Sequence, residues 1–128
     1  ELIGRLKLND VHFTGHVEFS ELVACFNAAD LYLSMSEHEG FGVPLLEAFF
    51  RQVPVIAYAA GAVEETMNSG GVLLRKKDFF RTAALADRII SDREFKQKLL
   101  KTQDQALKKY QLENTGRILL QQVERVSP

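Results

Sequence analysis

The sequence predicts an α/β domain with a parallel sheet of about four strands, helices on both faces of it, and a helical tail at the C-terminal end. Three features carry that expectation. Short apolar runs of strand length alternate with helical apolar patterns as far as Leu74, and strands that alternate with helices form parallel sheets covered on both sides. Glycine, proline and asparagine punctuate the junctions between those runs. Beyond Arg75 only helical periodicity remains. At 128 residues the chain fits one domain, residues 1–128, large enough to bury a core of its own.

Leu2, Ile3, Leu6 and Leu8 have loose helical spacing and run into the turn Asn9-Asp10. Val11 to Thr14 then alternates apolar with polar and stops at Gly15, which predicts a first strand, with His12 a structural residue inside it. Ser20 is placed to cap a helix carrying Leu22, Val23, Phe26 and Ala29 on one side, and Leu31 to Leu33 reads as the next strand. Pro44 fits the first turn of the following helix, where a missing N–H costs nothing, and Leu45, Leu46, Phe49 and Phe50 are its expected buried side. That helix ends before Pro54. Pro54 to Tyr58 and Val72 to Leu74 are compact apolar runs of strand length, the second introduced by Gly70-Gly71.

Two successive helices come next, with Asp78 as a cap for the first and Ser91 and Glu94 in capping-box register for the second. Leu99, Leu100, Gln103, Ala106, Leu107 and Tyr110 give that second helix one mostly apolar stripe, while Lys96, Lys98, Lys101, Lys108 and Lys109 form a solvated remainder. A last helix is expected near Glu113 to Val126, carrying Ile118, Leu119, Val123 and Val126.

A formal net charge of −1, with 46% apolar and 26% charged residues, gives no general attraction to polyanions, so nucleic acid is not an expected partner. The single cysteine, Cys25, stands among Val23, Ala24 and Phe26 and is expected as a reduced, buried thiol, which suits a cytoplasmic protein. No apolar run approaches the roughly 20 residues that span a bilayer, and the N-terminus lacks the basic-then-apolar layout of a signal peptide. Membrane contact is expected to be at most peripheral, at the inner face.

The chemistry-bearing stretch is Ser36-Glu37-His38-Glu39-Gly40-Phe41-Gly42-Val43-Pro44-Leu45-Leu46-Glu47-Ala48, between the end of a strand and the start of a helix, where open parallel sheets bind ligands. Gly40 and Gly42 remove side chains where a ligand would meet the backbone. The helix that follows points unpaired N–H groups and partial positive charge outward, which suits a diphosphate. Glu39 precedes the glycines and Glu47 lies about one turn inside the helix. Carboxylates beside a diphosphate make sense if they accept hydrogen bonds from hydroxyls, so Glu39 would face a sugar and Glu47 a ribose. Plainer alternatives stand beside these readings: Glu47 is four residues from Arg51, the spacing of a helical ion pair, Glu39 fits a solvated loop, and the two glycines fit a simple turn. His38 reads as a solvated loop histidine.

The string Glu-Gly-Phe-Gly-Val-Pro-Leu-Leu-Glu-Ala, from Glu39 to Ala48, closely resembles the signature of family 4 retaining glycosyltransferases of the GT-B fold. The resemblance extends to Val11–Val17, Ala28–Ser36, the run from Pro54 to Tyr58, Gly61–Glu65 and Gly71–Leu74, and so covers most of the chain. It implies a Rossmann-like, C-terminal nucleotide-sugar-binding domain, a partial GT-B C-terminal half. By it, Glu47 holds the ribose hydroxyls, Glu39 holds a hydroxyl of the donor sugar as the catalytic-site acid, and Gly40, Phe41, Gly42 and Val43 meet the sugar and diphosphate. His16 and Val17 lie by the nucleobase. The implied donor is a UDP-, GDP- or ADP-sugar, the transfer is of a hexose to a polysaccharide, glycolipid or other cell-surface acceptor, and neither cofactor nor metal is called for. The chain also has no Asp-x-Asp pair and no His/Cys cluster at ligand spacing.

The chain departs from the family pattern at Gln52, where a helix-ending glycine is usual, and at Phe50, where a small residue is usual. Two strand-helix units and an acceptor-binding domain that precede this region in the family are expected to be absent, which predicts an inactive fragment. Its sheet would be completed by direct pairing of the strands at Val11 and Leu31, by self-association, or by further chain upstream. Two readings of other classes remain, a non-catalytic nucleotide-sugar-binding or interaction module and an epimerase on the same architecture, because fold resemblance alone does not rank functions.

Overall fold

The computed structural model describes residues 2–117. Its elements run α1 (Leu2–Arg5), α2 (Phe19–Ala28), β1 (Tyr32–Ser34), α3 (Val43–Phe50), β2 (Val55–Tyr58), α4 (Val63–Met67), β3 (Val72–Leu74), α5 (Phe79–Ser91) and α6 (Arg93–Leu107). A 3-10 turn at Lys108–Tyr110 and a helical stretch at residues 112–117 follow. The helix expected near Glu113 to Val126 therefore lies largely outside the described residues.

The three strands form a parallel sheet in the order β1-β2-β3, with Tyr32 opposite Val55 and Ile56 opposite Val72. Side chains alternate across β2: Val55 and Ala57 enter one core with Phe26, Leu45, Phe49, Val63 and Met67, while Ile56 enters the other with Leu74, Ile89 and Leu99. Helices thus cover both faces, as the alternation of elements predicts. α6 contributes Leu99 to one core and Ala106 to the other. Between them Gln103, fully buried, accepts from the Val55 amide (2.9 Å) and donates to the Val53 carbonyl (2.9 Å). The stripe expected on this helix holds at Leu99, Leu100, Gln103 and Ala106.

The strand expected at Val11 to Thr14 does not form. Residues 11–15 have no regular structure, His12 is exposed, and Phe13 is 87% exposed. Alternation alone is not enough, because a strand exists only against a partner, and β1 pairs with β2 alone. The sheet has three strands among the described residues, and its pairing does not join Val11 to Leu31.

Several local expectations also shift. Glu18, not Ser20, caps α2, with its amide donating to the Glu21 carboxylate (3.1 Å). Asp78 caps α5 as expected (3.0 Å to the Arg81 amide), but Asp92 caps α6 (2.9 Å to the Phe95 amide) while the Ser91 hydroxyl turns back to the Asp87 carbonyl. Cys25 is exposed, because α2 buries only Phe26. Phe50 is 75% exposed: α3 buries Leu45, Ala48 and Phe49, and Phe50 lies about 140° round the helix from Leu45. No helix among the described residues is long and apolar enough to cross a membrane.

Candidate functional site

Parallel strands end on the same side, so the loops that follow β1, β2 and β3 gather there. Lys77, just past β3, ties them together. Its ammonium pairs with Glu37 of the loop after β1 (2.8 Å) and lies 4.9 Å from the ring centre of Tyr58, the last residue of β2. The pairing with Lys77, first as a hydrogen bond and then as a charge, holds the Glu37 carboxyl below the usual range.

Within this cluster the stretch Glu39–Val43 leads into α3. Gly42 is buried and left-handed (φ 81°), the conformation that favours glycine, and it occupies the position before the first helical residue. No side chain caps α3 there, and Pro44 stands in its first turn. Behind the loop, the Glu39 carbonyl accepts from the Ala62 amide (3.0 Å), and the Phe41 carbonyl accepts from the Thr66 hydroxyl. In a trans peptide the N–H points opposite to the C=O. With both carbonyls drawn toward α4, the amides of Gly40 and Gly42 face the other way. Neither these two amides nor that of Val43 has an acceptor among the described residues.

Two carboxylates flank these amides in sequence, Glu39 just before them and Glu47 one turn into α3, and both residues are half-buried. The Tyr32 phenol, at the start of β1, is pushed above its ordinary value first by burial and then by the charges of Glu39 and Glu47. The ion pair open to Glu47 from spacing is not made: Arg51 donates instead to Asn27 Oδ1 (3.1 Å). Amides without an acceptor at a helix start can hold an anion, and carboxylates near them in sequence can accept from its neighbouring hydroxyls.

His16 and Val17 sit ahead of α2, His16 exposed and Val17 half-buried, and no described hydrogen bond or ion pair joins them to the loop. His38 is exposed. No group of three or more His, Cys, Asp or Glu among the described residues is placed to hold a metal ion.

Residues 1–109 match the glycosyl transferases group 1 family. The chain belongs to that family. This group 1 domain is 33% identical over 76 residues to an MMP α-(1→4)-mannosyltransferase of Mycolicibacterium hassiacum, a match covering 59% of this chain and 18% of the relative. It is 30% identical over 87 residues to a glycogen synthase of Mycobacterium tuberculosis, covering 66% of this chain and 21% of the relative. The match thus spans about a fifth of these relatives' length.

Among solved structures, the domain resembles the C-terminal domain of a group 1 family protein, LpcC, from Francisella tularensis (27% identity, TM-score 0.69, covering 87% of this chain and 60% of that one). It also resembles Anabaena HepE, solved with UDP-glucose (23% identity, TM-score 0.74, covering 97% of this chain and 35% of that one), a likeness of fold. The three-stranded parallel sheet with its helices is accordingly that of a GT-B C-terminal domain.

Three residues that meet the loop after β1 carry no candidate role in the sequence reading. Gly61 (φ 54°) lets the chain after β2 press against the loop, and a Cβ there would collide with the Glu39 carbonyl. Its presence inside the matching stretch Gly61–Glu65 was the available signal. Thr66 and Lys77 reach the loop from elements distant in sequence and carry no local signature.

Proposed function

We propose that this chain is the donor-binding half of a retaining, family 4 glycosyltransferase that transfers a hexose from a nucleotide-diphosphate sugar to a polysaccharide, glycolipid or other cell-surface acceptor. The observation that carries the reading is the direction of the Gly40 and Gly42 amides, turned away from α4 because the carbonyls of their peptide units are held on that side. They receive the diphosphate, with Phe41 and Val43 lining the approach. Glu47 accepts from the ribose hydroxyls, Glu39 accepts from a hydroxyl of the sugar, and His16 and Val17 lie by the base. HepE, solved with UDP-glucose and with UDP and glucose, supports this class of donor as the first probe.

In the proposed transfer the bond from the anomeric carbon to the terminal phosphate oxygen breaks, and the acceptor oxygen bonds to the same face of that carbon. The acceptor proton passes to the departing phosphate. Negative charge that grows on this phosphate is what the outward amides and the start of α3 stabilise. No side-chain nucleophile takes part. Closure of a second domain over the donor completes the site, so this chain alone binds without turning over.

The test is thermal unfolding of this chain with UDP-glucose, GDP-mannose and ADP-glucose. One of them at about 100 times its Kd adds roughly 2.7 kcal/mol to stability. Glu47→Gln is expected to abolish most of that gain, and an undiminished response would remove the ribose role. Stabilisation by none of the three donors would remove the function.

A further inference from the structure

The loop that presents Gly42 is braced by two residues outside the signature. Thr66 lies in α4 and is 1% exposed. A threonine within a helix commonly returns its hydroxyl to the carbonyl four residues back. Here that carbonyl, of Ala62, accepts from the Thr66 amide (2.9 Å), and the hydroxyl instead crosses to the Phe41 carbonyl, 25 positions away in sequence. Valine would fill the same volume without that bond.

Tyr110 closes the brace from the other end of the chain. Its hydroxyl donates to the Thr66 carbonyl (3.0 Å) and approaches that of Glu65 (3.3 Å), carbonyls that the end of a five-residue helix leaves without intrahelical partners. Its ring meets the Phe41 ring edge to face, with centroids 5.9 Å apart and planes at 86°. Phe41 is thus held through its backbone by Thr66 and through its side chain by Tyr110. The peptide between Phe41 and Gly42 is planar, so fixing its carbonyl fixes the Gly42 N–H.

We propose that Thr66 and Tyr110 are positioning residues for the donor diphosphate, acting through Phe41 to hold the Gly42 N–H toward the ligand. This rests on the donor-binding reading given above. It adds that the competence of the signature loop is set by α4 and by the turn after α6.

The experiment compares this chain with Thr66→Val, Thr66→Ser and Tyr110→Phe. The first readout needs no ligand: the amide resonance and hydrogen exchange of Gly42, followed by NMR. Thr66→Val is expected to shift that resonance and speed its exchange, Thr66→Ser to restore both, and Tyr110→Phe to give a smaller change of the same sign. The second readout is UDP-glucose affinity, expected to fall about tenfold in Thr66→Val and to recover in Thr66→Ser, the scale of one lost hydrogen bond at a ligand-facing group. A Gly42 amide unmoved in Thr66→Val, or moved no more than amides throughout α4, overturns the proposal. So does unaltered UDP-glucose affinity in a variant whose melting temperature has dropped, which is the outcome of a merely architectural role. Failure of wild-type protein to bind UDP-glucose, GDP-mannose or ADP-glucose while Gly42 still responds to Thr66→Val would instead sink the donor-binding reading and the proposed purpose of the brace, leaving only the mechanical link.

Discussion

The Tyr32 phenol is sensitive to the charges of both candidate acids. It is partly buried, packs against Phe26 with ring centroids 5.6 Å apart, and feels the charges of Glu39 and Glu47. Because the folded phenol keeps its proton to higher pH than the unfolded one, it adds no pH dependence below about 10. Above that, the unfolded chain ionises first and stability falls as the pH rises toward the folded value. Glu47→Gln removes one of the two charges and is expected to lower the Tyr32 titration, read as the ultraviolet difference from a Tyr32→Phe protein so that Tyr58 and Tyr110 cancel. An unmoved titration would mean that Glu47 does not face this phenol. Glu39, Gly42 and Glu47 stand out in the sequence as candidates because their spacing is fixed along one turn and one helix. Thr66 does not, since nothing local distinguishes a residue that braces a loop from a core residue.

At the scale of elements, the end of α3 settles the departure at Gln52. The Gln52 amide donates to the Phe49 carbonyl (3.0 Å) and that of Val53 to the Ala48 carbonyl (2.9 Å), the paired bonds that close a helix through a left-handed residue. Gln52 adopts that conformation at φ 59°, and its side chain donates to Asp104 of α6 (2.5 Å). A left-handed residue with a Cβ carries about 1–2 kcal/mol of strain, offset in part by this exposed hydrogen bond. Urea denaturation is expected to place Gln52→Gly at or above the wild type and Gln52→Val clearly below it; valine at or above glycine would contradict the strain. The caps of α2 and α6 were misplaced from sequence because neighbouring residues offered rival acceptors. Glu18 and Asp92 win where the backbone leaves its extended conformation, a boundary that apolar periodicity places only to within a residue or two.

For the molecule as a whole, the joint between α6 and the sheet depends on Gln103. Its amide oxygen and nitrogen meet the Val55 N–H and the Val53 C=O on either side of Pro54, which fixes its orientation and leaves no polar atom there unpaired. Gln103→Leu keeps the volume but strands two buried backbone groups, at about 1–3 kcal/mol each. Denaturation is expected to register a loss of roughly 2–6 kcal/mol, with α6 amides exchanging faster than those of α3; a loss under about 1 kcal/mol would show that the joint is held by apolar contacts alone. Alternation of strands and helices made the parallel sheet and its two covered faces readable in advance. The number of strands was not, since Val11 to Thr14 has the right pattern but no neighbour to pair with. The loop after β1 offers peptide hydrogens, while the side chains of Phe41 and Val43 stand half open beside them. If the proposed donor binds here, reshaping its surroundings and reversing the loop's preference for negative charge are therefore separate engineering problems: replacing either side chain alters which groups can squeeze in, whereas only rewiring what grips the carbonyls changes the polarity of what is welcomed.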